Sequence, residues 1–264
     1  MAQQTLIVDD RETAVWVTLN RPEKMNSISP AMLEELEALM ARLADRRTLR
    51  ALVFTGAGRA FCAGVDLKAA REIVQGDDGF AANAAFLNRL KEMLLRVERF
   101  PRPVIAAVNG LALAGGLELV LCCDIVVAAE SARLGDAHAN YGLVPAGGSS
   151  VRLPRKVGPN RAKQLIYTGD FLPAATLAEW GLVNRVVPDV ELQAATAELV
   201  DRLSSRSPVG LERMKRMVDD GLEQSREAAL DYELALNALH ARSDDRAEGL
   251  AAFNEKRKPE FTGR

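Results

Sequence analysis

The chain has no excess of positive charge: 34 Lys and Arg stand against 36 Asp and Glu, a formal net charge of -2. Nucleic-acid partners usually leave a basic excess, so that class is disfavoured at the outset. Aromatic residues are scarce at 5%, which also removes the stacking platforms that single strands need. Cysteine is nearly absent. Cys62, Cys122 and Cys123 are too few and wrongly spaced for a disulfide framework or a zinc site, and an odd number suits a reducing compartment. The first residues, MAQQTLIVDDRETAVWVTLN, have neither a basic start nor a continuous apolar run, so no export leader is expected. The most apolar stretch, 103–129, is broken by Asn109, Glu118, Asp124 and several glycines, which predicts buried core and no membrane span. A cytoplasmic protein with no bound metal is the expectation.

What is present is enough apolar residue, 48% of 264, for one large domain or a domain with a small appendage. Thr5–Val8 and Ala14–Leu19 read as short strands around Asp9-Asp10-Arg11. Ser29 is a natural N-cap and Pro30 a natural first helical residue for a helix carrying Met32, Leu33, Leu36, Leu39, Met40 and Leu43. Ala51–Thr55 and Val104–Val108 are buried strands, with a helix over about Phe80–Arg99 between them, and Ile125–Ala129 is another strand. The polar, glycine-containing segment Lys68–Asp78 reads as a mobile surface stretch. Strands alternating with helices predict an α/β body. Beyond Pro188 only helical patterns remain, roughly Glu191–Ser204, Pro208–Gly221, Ser225–Ala241 and Ala247–Lys256. The chain therefore divides into a core over residues 1–195 and a helical region over 196–264.

Three segments carry chemistry. In Ala60-Phe61-Cys62-Ala63-Gly64-Val65-Asp66-Leu67-Lys68 a strand feeds a small-residue turn that can present backbone N–H groups to a ligand, although an ordinary glycine turn looks the same. In 109–118 paired glycines lead into a helix whose first N–H groups lack partners, at the end where the helix dipole favours negative charge. Glu118, one turn inside that helix amid Leu117, Leu119, Val120 and Leu121, is an acid in an apolar run. Its bland alternative is a structural acid paired with an arginine. The loop 135–148 carries His138, whose ordinary pKa suits proton transfer near neutrality, although a single histidine is more often structural.

In order and spacing these segments resemble the crotonase (enoyl-CoA hydratase/isomerase) family. The likeness begins at Leu19-Asn20-Arg21-Pro22-Glu23-Lys24-Met25-Asn26-Ser27 and continues through Ala63–Leu67, Gly115-Gly116-x-x-Glu118 and Cys123-Asp124-Ile125. It runs on through Gly142-Leu143-Val144-Pro145-x-Gly147-Gly148, Leu153-Pro154-Arg155-x-Val157-Gly158, Thr168-Gly169 and 178–187, to Phe253-x-Glu255-Lys256-Arg257-x-Pro259. Any one motif is weak; the full-length series is specific.

The resemblance implies a spiral of ββα turns followed by helices that drive trimer formation, often as a dimer of trimers, and so a homotrimer or hexamer. It implies an acyl-CoA substrate, with coenzyme A entering as part of that substrate and no separate cofactor. The oxyanion hole for the thioester oxygen falls on the N–H groups of Val65 and Gly115, with Val65 in place of the usual alanine narrowing the site. Ala63, Gly64, Val65, Asp66 and Leu67 fall where the adenine and pantetheine bind, and Lys24, Phe253 and Lys256 at the ADP end, in some cases across a subunit boundary. Each lysine has the alternative of a solvated surface charge.

Family hydratases use two glutamates, and Glu118 matches the first. The second normally lies four residues before the glycine matched by Gly142, and here that position holds His138. Three readings follow. His138 donates the proton that the second glutamate would give, and the enzyme hydrates 2-enoyl-CoA. Alternatively the chain is a relative that isomerises, decarboxylates, or hydrolyses a thioester or carbon–carbon bond, although family isomerases commonly lose the first acid and keep the second. Or His138 is structural and Asp136 or Asn140 lines the pocket. Outside enzymes, a CoA-binding scaffold remains, as does an RNA-binding relative using Arg42, Arg46, Arg47 and Arg50. Glu34, Glu35, Glu37 and Asp45 are interleaved with those arginines, as on a solvated helix face.

Overall fold

A computed structural model describes residues 4–75 and 78–264. The chain opens with an antiparallel pair, β1 (Leu6–Asp10) and β2 (Ala14–Leu19), in the register Leu6 opposite Leu19. Helix α1 (Pro30–Leu43) follows, and its N-cap is Ser29, whose hydroxyl accepts the Met32 N–H. All six of its expected apolar residues are buried.

From β3 onward the chain repeats one move: a strand, a sharp corner, a second short strand, then a helix. The first round is β3 (Ala51–Gly56), β4 (Ala60–Cys62), α2 (Leu67–Val74) and α3 (Gly79–Glu98). The second is β5 (Val104–Val108), β6 (Leu111–Leu113) and α4 (Gly115–Leu121). The third is β7 (Ile125–Ala129), β8 (Arg133–Gly135), α5 (Ser149–Val157) and α6 (Pro159–Thr168). Next come β9 (Leu172–Pro173), α7 (Ala174–Glu179) and β10 (Arg185–Val187). The first strands of each round align in a six-stranded sheet, β1-β2-β3-β5-β7-β10, parallel except at β1. The second strands make a four-stranded sheet, β4-β6-β8-β9. This is a spiral of ββα turns, the arrangement that the resemblance implies.

Asparagines hold the corners. Asn109 donates to Gly58 O at 2.9 Å while its Oδ1 accepts the Gly56 N–H at 2.9 Å, and the buried Asn26 donates to Ala57 O and Ala60 O. Buried backbone groups at a corner need partners, and these amides supply both kinds in one side chain.

The segment expected to be a mobile surface stretch is helical over Leu67–Val74, because Asp66 caps it by accepting the Lys68 and Ala69 N–H groups. Gly76 and Asp77 of that stretch, and residues 1–3 of the segment read for a leader, lie outside the described residues. After β10 the chain is helical: α8 (Leu192–Ser204), α9 (Pro208–Gly221), α10 (Arg226–His240) and α11 (Asp244–Glu255). Helix α8 buries Leu192, Ala195, Thr196 and Val200, so a division at 195/196 falls inside it. Helices α9 and α10 leave Met214, Val218, Leu230 and Leu234 exposed, as is Leu222 just after α9. Among the described residues no helix is long and apolar enough to cross a membrane.

Of the arginines considered as a nucleic-acid comb, Arg47 is exposed and the other three lie against partners within the chain. Arg46 pairs with Asp10, Arg42 lies 3.8 Å from the same carboxylate, and Arg50 is buried, donating to Phe261 O at 2.9 Å.

Candidate active site

Two corners of the spiral meet at the site. The turn after β4 and the start of α4 are in contact: a Cβ on Gly64 would lie 3.1 Å from Gly115 N, and one on Gly115 would lie 3.4 Å from Val65 N. Ile28 pairs across the first turn, donating to Gly64 O and accepting from Asp66 N. That pairing skips Val65, whose N–H has no acceptor among the described residues, and neither has that of Gly115. Ala114 fixes the second donor. Its φ of 49° and ψ of -117° are a glycine-type conformation held by an alanine, while its own N–H donates to Gly135 O at 3.0 Å. Strain of this kind costs about 1–3 kcal/mol and persists where the surroundings over-determine it. Two unpartnered N–H groups at touching turns can hold one oxygen as it gains negative charge.

Glu118 is the acid beside them. Its N–H closes the first turn of α4 onto Ala114 O, and its side chain is buried at 2% exposure. Among the described residues no arginine pairs with it, which counts against the structural-pair alternative; Arg152 instead makes an ion pair with Glu98 at 2.8 Å. Glu118 Oε1 accepts two backbone N–H groups, Gly147 at 2.8 Å and Ser149 at 3.2 Å. Burial raises its pKa, opposed by the Ser149 bond, the nearby His138 and the Gly147 bond.

His138 follows a strained corner at Ala137, φ 61°, and donates its own N–H to Asp136 O at 2.8 Å. Its Nδ1 lies 2.9 Å from Asp136 Oδ1, and Asp136 is fully buried. Burial lowers the imidazole pKa, but the hydrogen bond and charge of Asp136, with the charge of Glu118, outweigh it and raise the value overall. The ring and Glu118 thus feel each other's charge. Asn140 faces elsewhere, donating to Gly169 O at 2.9 Å.

Cys62, at the end of β4, is buried with its thiol pushed up to about 12 by desolvation, so it is no nucleophile at neutral pH. Among the described residues no cluster of His, Cys, Asp and Glu could hold a metal ion.

The Ala63–Leu67 turn is braced by Asp66, which accepts from Arg21 at 2.9 Å, while Leu67 stays exposed. Lys24 is exposed on the short turn at 22–24 that precedes α1. Phe253 and Lys256, both exposed at the end of α11, make no hydrogen bond to the Ala63–Leu67 turn within one chain. The residues that sequence reasoning did not single out are Gly147 and Ser149, which grip Glu118 through the backbone. Their only signal was the Gly147-Gly148 pair.

The family model described as enoyl-CoA hydratase/isomerase matches residues 9–264. A crotonyl-CoA hydratase of Syntrophomonas wolfei is 34% identical over 263 residues, covering 99% of each chain. A 2,3-dehydroadipyl-CoA hydratase of Escherichia coli is 37% identical over 261 residues, covering 98% of this chain and 99% of that one. The crystal structure of an enoyl-CoA hydratase from Bacillus anthracis superposes with a TM-score of 0.93 at 37% identity, covering 99% of this chain and 100% of that one.

Proposed function

The chain belongs to the enoyl-CoA hydratase/isomerase family of acyl-CoA enzymes, and from that premise we propose that it adds water across the double bond of a 2-enoyl-CoA. The observation that carries this reading is the buried Glu118. One of its oxygens is held by two backbone N–H groups, and the charge of His138 bears on it beside two unpartnered N–H donors.

In this mechanism the thioester oxygen sits between the N–H groups of Val65 and Gly115. Glu118 accepts a proton from water as the water oxygen bonds to the β-carbon. The electron pair of the double bond moves toward the thioester oxygen, where the two N–H groups stabilise the enolate. The imidazolium of His138 then gives its Nε2 proton to the α-carbon, and the proton held by Glu118 restores the ring. The raised pKa of His138 keeps it protonated further above its ordinary value near 6.5, as a proton donor requires.

The Ala63–Leu67 turn would take the adenine and pantetheine of coenzyme A, with Lys24, Phe253 and Lys256 at the ADP end. The exposed apolar faces of α9 and α10 would be covered by further copies of the chain in a trimer or hexamer, which light scattering would detect. Three buried, unpaired cysteines suit the cytoplasm.

The test is disappearance of the enoyl-thioester absorbance on mixing with crotonyl-CoA, with 3-hydroxybutyryl-CoA identified as product. Hydration by the wild type, lost in Glu118→Gln, supports the proposal. Binding of crotonyl-CoA without hydration contradicts it and directs attention to isomerase, decarboxylase and hydrolase substrates.

A further inference from the structure

Asp136, Ala137 and His138 form a closed three-residue turn. The His138 N–H returns to Asp136 O at 2.8 Å, and Ala137 is held at φ 61°, a conformation that an L-residue seldom adopts. The turn folds the imidazole back onto the preceding carboxylate, so that Nδ1 and Asp136 Oδ1 stand 2.9 Å apart. Asp136 is wholly buried, and its Oδ2 has no hydrogen-bond partner among the described residues. A buried carboxylate with one side-chain partner is costly unless that partner carries the opposite charge. Strain at Ala137, burial of Asp136 and the short contact all serve one arrangement of the ring.

We propose that Asp136 is the positioning residue of this site: it accepts the Nδ1–H of His138 and so leaves Nε2 as the atom that exchanges a proton with substrate. As a statement about catalysis this rests on His138 being the α-carbon proton donor. An ionised carboxylate can only accept, so the neutral ring must carry its proton on Nδ1 and present a bare Nε2. The charged groups that bear on the ring are Asp136 and, from α4, Glu118. Helix α6 packs against the same turn through the uncharged Asn140 amide and Gly169 carbonyl, and its Arg161 and Lys163 are exposed. The proton inventory is therefore set by two carboxylates around one imidazole. The mobile proton passes between Glu118, His138 and substrate, while Asp136 Oδ1 keeps its contact with Nδ1.

Two measurements test this, and the first reads the wild-type protein directly. The protein has two histidines, His138 and His240, so imidazole nitrogen resonances can be assigned by comparison with His138→Ala. Above its titration, wild-type His138 is expected as the Nδ1–H tautomer. An Nε2–H tautomer overturns the proposal. In Asp136→Asn, which is isosteric, the His138 titration is expected at lower pH. The kcat for crotonyl-CoA is expected to fall about 10²-fold near neutrality with little change in KM, the deficit narrowing toward acid. Unchanged titration, or kcat within about twofold of wild type across the pH range, overturns it. The tautomer and titration do not depend on turnover. If the wild type fails to hydrate crotonyl-CoA while the Nδ1–H tautomer and downward shift are seen, the hydratase reading fails and the Asp136–His138 arrangement stands.

Discussion

Replacing Gly147 by alanine places a methyl group against Glu118 without asking anything unusual of the backbone. The new Cβ would lie 2.7 Å from Glu118 Cδ, closer still to Oε2, and 2.9 Å from Leu94 Cδ1. Ordinary contact begins at 3.4 Å, so 3.4 less 2.7 requires the carboxylate to retreat by at least 0.7 Å. Glu118 has little room to retreat, because it is buried and its Oε1 is tied to Gly147 N and Ser149 N. A misplacement of about 1 Å at a reacting group can cost about 10²-fold in rate, or about 2.7 kcal/mol of barrier. Overpacking adds a stability cost of about 1–3 kcal/mol, which a thermal melt will register separately. The assay is kcat for crotonyl-CoA hydration, with binding of a non-reactive acyl-CoA measured alongside. The expected result is a folded protein that binds acyl-CoA and turns over about 10²-fold more slowly. Wild-type kcat in Gly147→Ala would show that the Glu118 carboxylate is not where the chemistry happens.

Other outcomes follow from the same geometry. Gly116→Ala pushes a methyl to 2.7 Å from the Cys62 carbonyl carbon, which is backbone, so this variant should lose stability, measured by denaturant melts. Ala114→Gly relieves the φ of 49° and should leave the melting temperature unchanged or raised, against the usual direction for Ala to Gly. Glu118 has a raised folded pKa, so the native state binds that proton more tightly than the unfolded chain. Its stabilising contribution is present below the ordinary value of 4.5 and is lost as pH rises through the folded value. Glu118→Gln should flatten that fall in melts across pH and be more stable than wild type at pH 7, while losing hydration. The pKa of His138 is also raised, so the alkaline limb of kcat/KM should lie above the ordinary 6.5. Asp66→Ala removes the N-cap of α2 and the partner of Arg21, and should cost about 1–2 kcal/mol in denaturant melts.

The long elements were readable because each carried two agreeing signals. Ser29 and Pro30 stand ahead of a helical apolar stripe, and Val104–Val108 and Ile125–Ala129 are continuous buried strands. The second sheet was not readable. Strands of three residues such as Ala60–Cys62, Leu111–Leu113 and Arg133–Gly135 are too short to show a period, and only pairing with one another defines them. Helix α2 was hidden by its polarity, although Asp66 ahead of it is a standard cap. At the site, Glu118 stood out as an acid in an apolar run. Its grip by Gly147 and Ser149 spans 29 and 31 residues, which no local pattern reports. The Asp136–His138 contact is two residues long, but it depends on Ala137 adopting a positive φ, which nothing in an alanine advertises.

The central claim is that Glu118 and His138 act on one substrate in one reaction. The most direct test is the rate of crotonyl-CoA hydration in wild type, Glu118→Gln, His138→Ala and the double variant. Groups that act as a unit are strongly non-additive. The account predicts hydration by the wild type, a loss of about 10²-fold or more in each single variant, and a double variant scarcely worse than either. Full activity in His138→Ala, or losses that simply multiply, would contradict it.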